Sequence, residues 1–167
     1  MLWYFTGNKL TRINAMDQQV TKINIDNPTI LFGLKVRTCN MNEMSGEGAK
    51  IAGLWQQFYT DIAPNLTPSS QVYGVYTHYE SDVTGEFDVF ACTDLQVTSS
   101  EIEQTTLATG NYLRFSGKGA MPQTVIDVWG QVWQYFSNEQ CPHIRAYKTD
   151  YEFYKNSDEV EVFISVE

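Results

Sequence analysis

The sequence has little cysteine and histidine, few basic residues, and no apolar run long enough to cross a bilayer. Cys39, Cys92 and Cys141 are odd in number and far apart. That argues against a disulfide framework and for reduced thiols in a cytoplasmic setting. His78 and His143 are also far apart, so no His-x-x-x-His or paired-cysteine site exists, and neither a metal nor another cofactor is expected. No stretch approaches the roughly 20 apolar residues of a membrane span, and Met1 to Ala15 lacks the long apolar segment and cleavage-type ending of a secretory leader. No membrane contact is therefore expected. Eleven Lys and Arg stand against twenty Asp and Glu, a net charge of −9. Such a surface repels nucleic-acid phosphate, so no direct nucleic-acid binding is expected, while its long-range field attracts cations. No serine or cysteine triad motif occurs, and Gly117-Lys118-Gly119 is a turn rather than a phosphate-cradling loop.

Aromatic residues are abundant, with nine Phe, ten Tyr and four Trp. They suit a core, and equally a pocket that is apolar but offers polar tips. The 167 residues fit one domain. Met16-Asp17-Gln18 has the form of an alternative start, so residues 1–16 are read as an N-terminal extension and residues 17–167 as the domain.

Two segments carry one apolar pattern. Ile51, Leu54, Trp55, Phe58, Tyr59 and Ile62 fall on the stripe of an amphipathic helix, and Val125, Val128, Trp129, Val132, Trp133 and Phe136 repeat it 74 residues later. Pro64 and Pro68 close the first, Asn138 and Pro142 the second. Each is followed by a β-type run with a shared motif, Thr77-His78-Tyr79-Glu80 within 72–80 and Thr149-Asp150-Tyr151-Glu152 within 144–154. A second strand follows each, 87–92 and 160–166, and a strand precedes each helix, 31–39 and 112–115. The chain thus reads as strand–helix–strand–strand, twice: an α+β fold with pseudo-twofold symmetry, an antiparallel sheet, two main helices and a central ligand cleft.

That order resembles the effector-binding domain of bacterial multidrug-responsive transcription regulators, within the gyrase-inhibitor-like superfamily. Val72-Tyr73-Gly74-Val75-Tyr76, Gly110-Asn111-Tyr112, the helix through Val128-Trp129, Asp150-Tyr151-Glu152-Phe153-Tyr154 and the closing strand 160–166 carry the resemblance. Family members usually bear a helix-turn-helix module. None is evident here, so the chain looks like a stand-alone member of the kind found on integron gene cassettes. The resemblance implies a cleft for lipophilic cations, a family glutamate at Glu152 that meets the ligand charge, and a family pocket tyrosine at Tyr73.

The residues themselves allow two readings of Glu152. Strand alternation puts it on one face with Tyr154, and Tyr151 and Phe153 on the other. Facing inward among rings, it would be partly desolvated, with a raised pKa relieved by an incoming cation. Facing outward, it would be solvated or paired with Arg145 or Lys148. Trp55 and Trp129, equivalent in the repeat, either line the cleft or pack in the core. The expected ligand site is Glu152, Tyr73, Trp55, Trp129 and Tyr154, with no catalytic residue. Two alternatives are a small-molecule hydrolase with a glutamate general base and a protein inhibitor of DNA gyrase.

Overall fold

The computed structural model describes residues 20–167. The expected N-terminal extension, residues 1–16, lies outside them. The strands are β1 (Thr21–Ile25), β2 (Thr29–Cys39), β3 (Val72–Thr77), β4 (Glu86–Thr93), β5 (Glu103–Leu107), β6 (Gly110–Lys118), β7 (Thr149–Tyr154) and β8 (Glu159–Ser165). The helices are α1 (Asn40–Ser45), α2 (Ile51–Asp61) and α3 (Gln123–Phe136), with a short 3-10 turn at Ala63–Asn65. Both expected helices and all six expected strands form, and α2 and α3 bury the predicted stripe at Ile51, Leu54 and Phe58 and at Val125, Val128 and Val132.

The strands make one antiparallel sheet in the order β1-β6-β8-β7-β3-β4-β2-β5. Its middle six strands read the same from either side of the β7–β3 junction, which is the pseudo-twofold relation that the repeat implies. Thr77 and Thr149, equivalent in the repeat, pair directly, with their hydroxyls 3.3 Å apart. β1 and β5 extend the symmetry. β1 precedes β2 but pairs with β6, and β5 precedes β6 but pairs with β2. Each half therefore lends its first strand to the other half's edge.

This exchange forces the sheet to curl. Only residues 108–109 carry the chain from β5 at one edge to β6 beside the other, and consecutive Cα atoms are about 3.8 Å apart. Gly110 (φ 138°) makes the turn in a conformation closed to most residues. The α2 and α3 stripes cover one face of the sheet, packing on Leu34, Val89, Leu113, Phe115 and Val162. The other face has its own cluster of Leu31, Val75, Phe90, Tyr112, Tyr151 and Phe163.

Two expectations need correction. The strand expected from residue 144 begins only at Thr149, because Tyr147 takes a positive φ of 49°, which breaks the extended run. The strand expected to reach Glu80 stops at Thr77, where His78 does the same.

Candidate functional site

The β3–β7 register decides which side chains meet beneath the helices. Gly74 lies opposite Glu152, Tyr76 opposite Asp150, and Val72 opposite Tyr154. Strand alternation then puts Tyr76, Asp150, Glu152 and Tyr154 on the helix side. Glu152 is fully buried, at 0% exposure.

Three neutral donors hold its carboxylate. Tyr76 donates its hydroxyl to Oε1 at 2.8 Å and Trp129 its indole N–H to the same oxygen at 2.7 Å, while Tyr154 donates to Oε2 at 2.7 Å. Among the described residues no lysine, arginine or histidine forms an ion pair with it. Burial raises its pKa above the usual carboxylate range, and the hydrogen bonds from Tyr154, Trp129 and Tyr76 offset part of that rise. Burial, together with the Glu152 charge, holds the Tyr76 and Tyr154 hydroxyls well above their ordinary values, so both stay donors at neutral pH. A carboxylate offers about four lone-pair directions. Among the described residues Oε2 has a single donor and is the less satisfied oxygen.

Oε2 lies on the side of Trp55. A Cβ added at Gly74 would sit 2.5 Å from Oε2 and 3.1 Å from Trp55 Cζ2. Only glycine at 74 lets the carboxylate and the indole edge share this space. Gly74→Ala should therefore destabilise the protein by about 1–3 kcal/mol through overpacking, read by urea unfolding, and an unchanged midpoint would contradict this packing.

Glu152 lines a lobe of about 470 Å³ together with Trp55, Tyr59, Tyr76 and Tyr154, closed on the α3 side by Met121, Pro122, Val125 and Ile126. Trp55 meets Tyr154 edge-on at 5.2 Å and Tyr59 at 5.9 Å, and Tyr76 meets Trp129 edge-on at 5.1 Å. The result is a ring-walled space with one anionic group at its base.

Of the five expected site residues, Glu152, Trp55, Trp129 and Tyr154 come together here. Tyr73 does not. It points to the opposite face, stacked on Phe153 at 5.1 Å with its ring 6.4 Å from that of Tyr151. The β3 tyrosine that reaches Glu152 is Tyr76, three residues on. Arg145 does not pair with Glu152 either. It binds Asp150 at 2.7 Å. That carboxylate also accepts from Tyr79 at 2.8 Å and from the Ser165 backbone N–H at 2.7 Å.

Sequence and structure comparisons converge on one family. The chain matches the Cass2 family, described as integron-associated effector binding proteins, over residues 22–166. It belongs to that family. An integron cassette protein from the mobile metagenome of Vibrio cholerae is 48% identical, with a TM-score of 0.84, over 89% of this chain and 95% of that one. More distant structures share the effector-binding fold. SAV2435, solved bound to tetraphenylphosphonium, is 22% identical with a TM-score of 0.65 over 91% of this chain and 94% of its own. A putative bacterial transcription regulation protein from Staphylococcus aureus MU50 is also 22% identical, with a TM-score of 0.64, over 91% and 99%. No curated protein sequence matches the chain. Among the described residues no helix is long and apolar enough to cross a membrane.

Proposed function

We propose that this effector binding protein takes up lipophilic organic cations in the Glu152 lobe and binds them without chemical turnover. The observation that carries the reading is a fully buried carboxylate, held among the described residues by neutral donors, at the base of a lobe walled by aromatic rings. Ionised Glu152 is costly there without a counter-charge, and a bound cation supplies it. The ring faces add about 0.5–2 kcal/mol each through cation–π attraction. The chain's net charge of −9 draws cations toward the protein. A fold neighbour solved with tetraphenylphosphonium supports this ligand class. No histidine, cysteine, serine, lysine or arginine lines the lobe among the described residues, which favours binding over hydrolysis with Glu152 as general base.

Fluorescence titration with several lipophilic cationic dyes and size-matched neutral analogues tests the reading. Several chemically unrelated cations should bind while the neutral analogues are rejected. Equal binding of charged and neutral members would contradict it, and steady turnover of a small ester would favour the hydrolase.

Acidity gives a second test. The raised Glu152 pKa means that its proton returns at a higher pH than for an ordinary carboxylate. A cation needs the ionised form, so affinity should fall as pH drops, and the fall should begin at a higher pH than an ordinary carboxylate would give. An affinity that holds down to the ordinary carboxylate range would contradict a desolvated Glu152 as the counter-charge.

A further inference from the structure

The Glu152 lobe is not uniform along its length. Ile51, Trp55 and Tyr59 line it from α2. Side chains four residues apart fall in one row along a helix, with a rise of about 6 Å between them. Exposure climbs along this row. Ile51 is 3% exposed, Trp55 is half-buried and Tyr59 is 59% exposed. The row therefore leads from the closed part of the lobe to its mouth, and Tyr59 stands at the mouth.

The rings of this row connect to Glu152. Tyr154 donates to Oε2 at 2.7 Å. Its ring meets Trp55 edge-on at 5.2 Å, and Trp55 meets Tyr59 at 5.9 Å. The ladder starts at the less satisfied carboxylate oxygen and ends at solvent. On the α3 side Met121, Pro122, Val125 and Ile126 offer apolar surface and no charge. The charge of a ligand thus has its counter-group at the base of the lobe, while aromatic surface continues one helical turn beyond Trp55.

Tyr59 also differs from the other exposed apolar side chains. Ile30, Met41, Met44 and Ile144 are exposed as well, but none of them lines this lobe. Its repeat counterpart, Trp133, is half-buried against the core of the helix face. A ring left largely in water contributes little burial to the fold. It gains burial, and a ring partner, once an aromatic group lies against it.

We propose that Tyr59 sets the length of the ligand, so that the lobe selects elongated monocations with a second aromatic ring about one helical turn, roughly 6 Å, beyond the cationic ring. The cationic ring lies against Trp55 with its charge towards Glu152, and the second ring lies against Tyr59. This inference rests on the cation reading of the lobe and adds ligand length to ligand charge.

Two fluorescent monocations form the test pair: the elongated dye dimethylaminostyryl-N-methylpyridinium, whose two rings are joined by a vinyl bridge, and the compact N-methylquinolinium. Tyr59→Ala should weaken the styryl dye about tenfold and the quinolinium by less than about threefold. Tyr59→Phe, which keeps the ring, should hold the styryl dye within about twofold of the parent. Glu152→Gln should weaken both dyes by a similar factor, because each brings one charge to the same carboxylate. Equal losses for the two dyes in Tyr59→Ala, or no loss for the styryl dye, would overturn the length assignment and leave the cation reading standing. Two dyes indifferent to Glu152→Gln would instead overturn the cation reading, and this inference with it.

Discussion

Replacing Glu152 by glutamine should weaken lipophilic-cation binding by about 1–3 kcal/mol, the scale of a lost charge-assisted contact and roughly five- to 150-fold in affinity. The ring contacts survive the substitution, so binding falls without vanishing. The fold should hold, because glutamine keeps the shape of the side chain. Its carbonyl can accept from Tyr76 and Trp129 as Oε1 does, and its amide can donate to the Tyr154 hydroxyl. Stability should move the other way from affinity. Because the folded-state pKa of Glu152 is raised, its favourable share of stability is complete below the ordinary carboxylate value and is lost as pH rises through the raised one. The glutamine variant has no such loss. Its melting temperature relative to the parent should therefore climb between acid and neutral pH. Equal cation affinity in parent and variant would remove Glu152 from the binding account.

Replacing Arg145 by alanine should cost about 3–5 kcal/mol of stability, the range for stripping one partner from a buried ion pair. Side-chain exposure is 7% for Arg145 and 0% for Asp150, so solvent screens this pair little. Burial works against the guanidinium charge, but Asp150 and Tyr79 more than offset it and hold its pKa above the ordinary value. Without Arg145, Asp150 keeps donors from Tyr79 and Ser165 but no cation. The same change removes the guanidinium from the faces of Tyr79, Trp129, Trp133 and Tyr147, at 4.8 to 5.9 Å. Urea unfolding measures the loss. Asp150→Asn added to Arg145→Ala should recover part of it, since the orphaned charge is then gone. A single-variant loss under about 1 kcal/mol would mean that the pair contributes little.

The periodicity of α2 and α3 and the strands that follow each helix were readable because burial imposes spacing on apolar residues, although the first Thr-x-Tyr-Glu motif leaves its strand at Thr77. The repeat made Trp55 and Trp129 equivalent, strand alternation put Tyr154 on one face with Glu152, and the resemblance to effector-binding domains pointed to Glu152 itself. The edge strands were not readable. β5 is Glu103-Gln104-Thr105-Thr106-Leu107, and only two of its residues are buried, too few for an alternating pattern to stand out. The exchange of β1 and β5 between halves is a long-range choice that no local window contains. Tyr73 and Tyr76 were separable only by register, because a strand's inward face depends on what it pairs with. Gly74 held the available clue: a glycine directly across from a buried glutamate marks a close approach, and Tyr76 is two residues beyond it on the same face. The Arg145–Asp150 pair was hidden because Tyr147 at positive φ interrupts the chain between β7 and Arg145, which forms an isolated antiparallel bridge with Val166.

The most direct test of the account is the pKa of Glu152 itself, followed by carbon-detected NMR of its side-chain carboxyl with and without a saturating lipophilic cation. In the free protein the midpoint should lie above the ordinary carboxylate value of 4.5, as burial dictates. In the complex it should fall, because a cation that prefers the ionised form must lower the pKa by linkage. A midpoint that is the same in both states would show that the cation binds without engaging this carboxylate, and would contradict the assignment of Glu152 as the counter-charge.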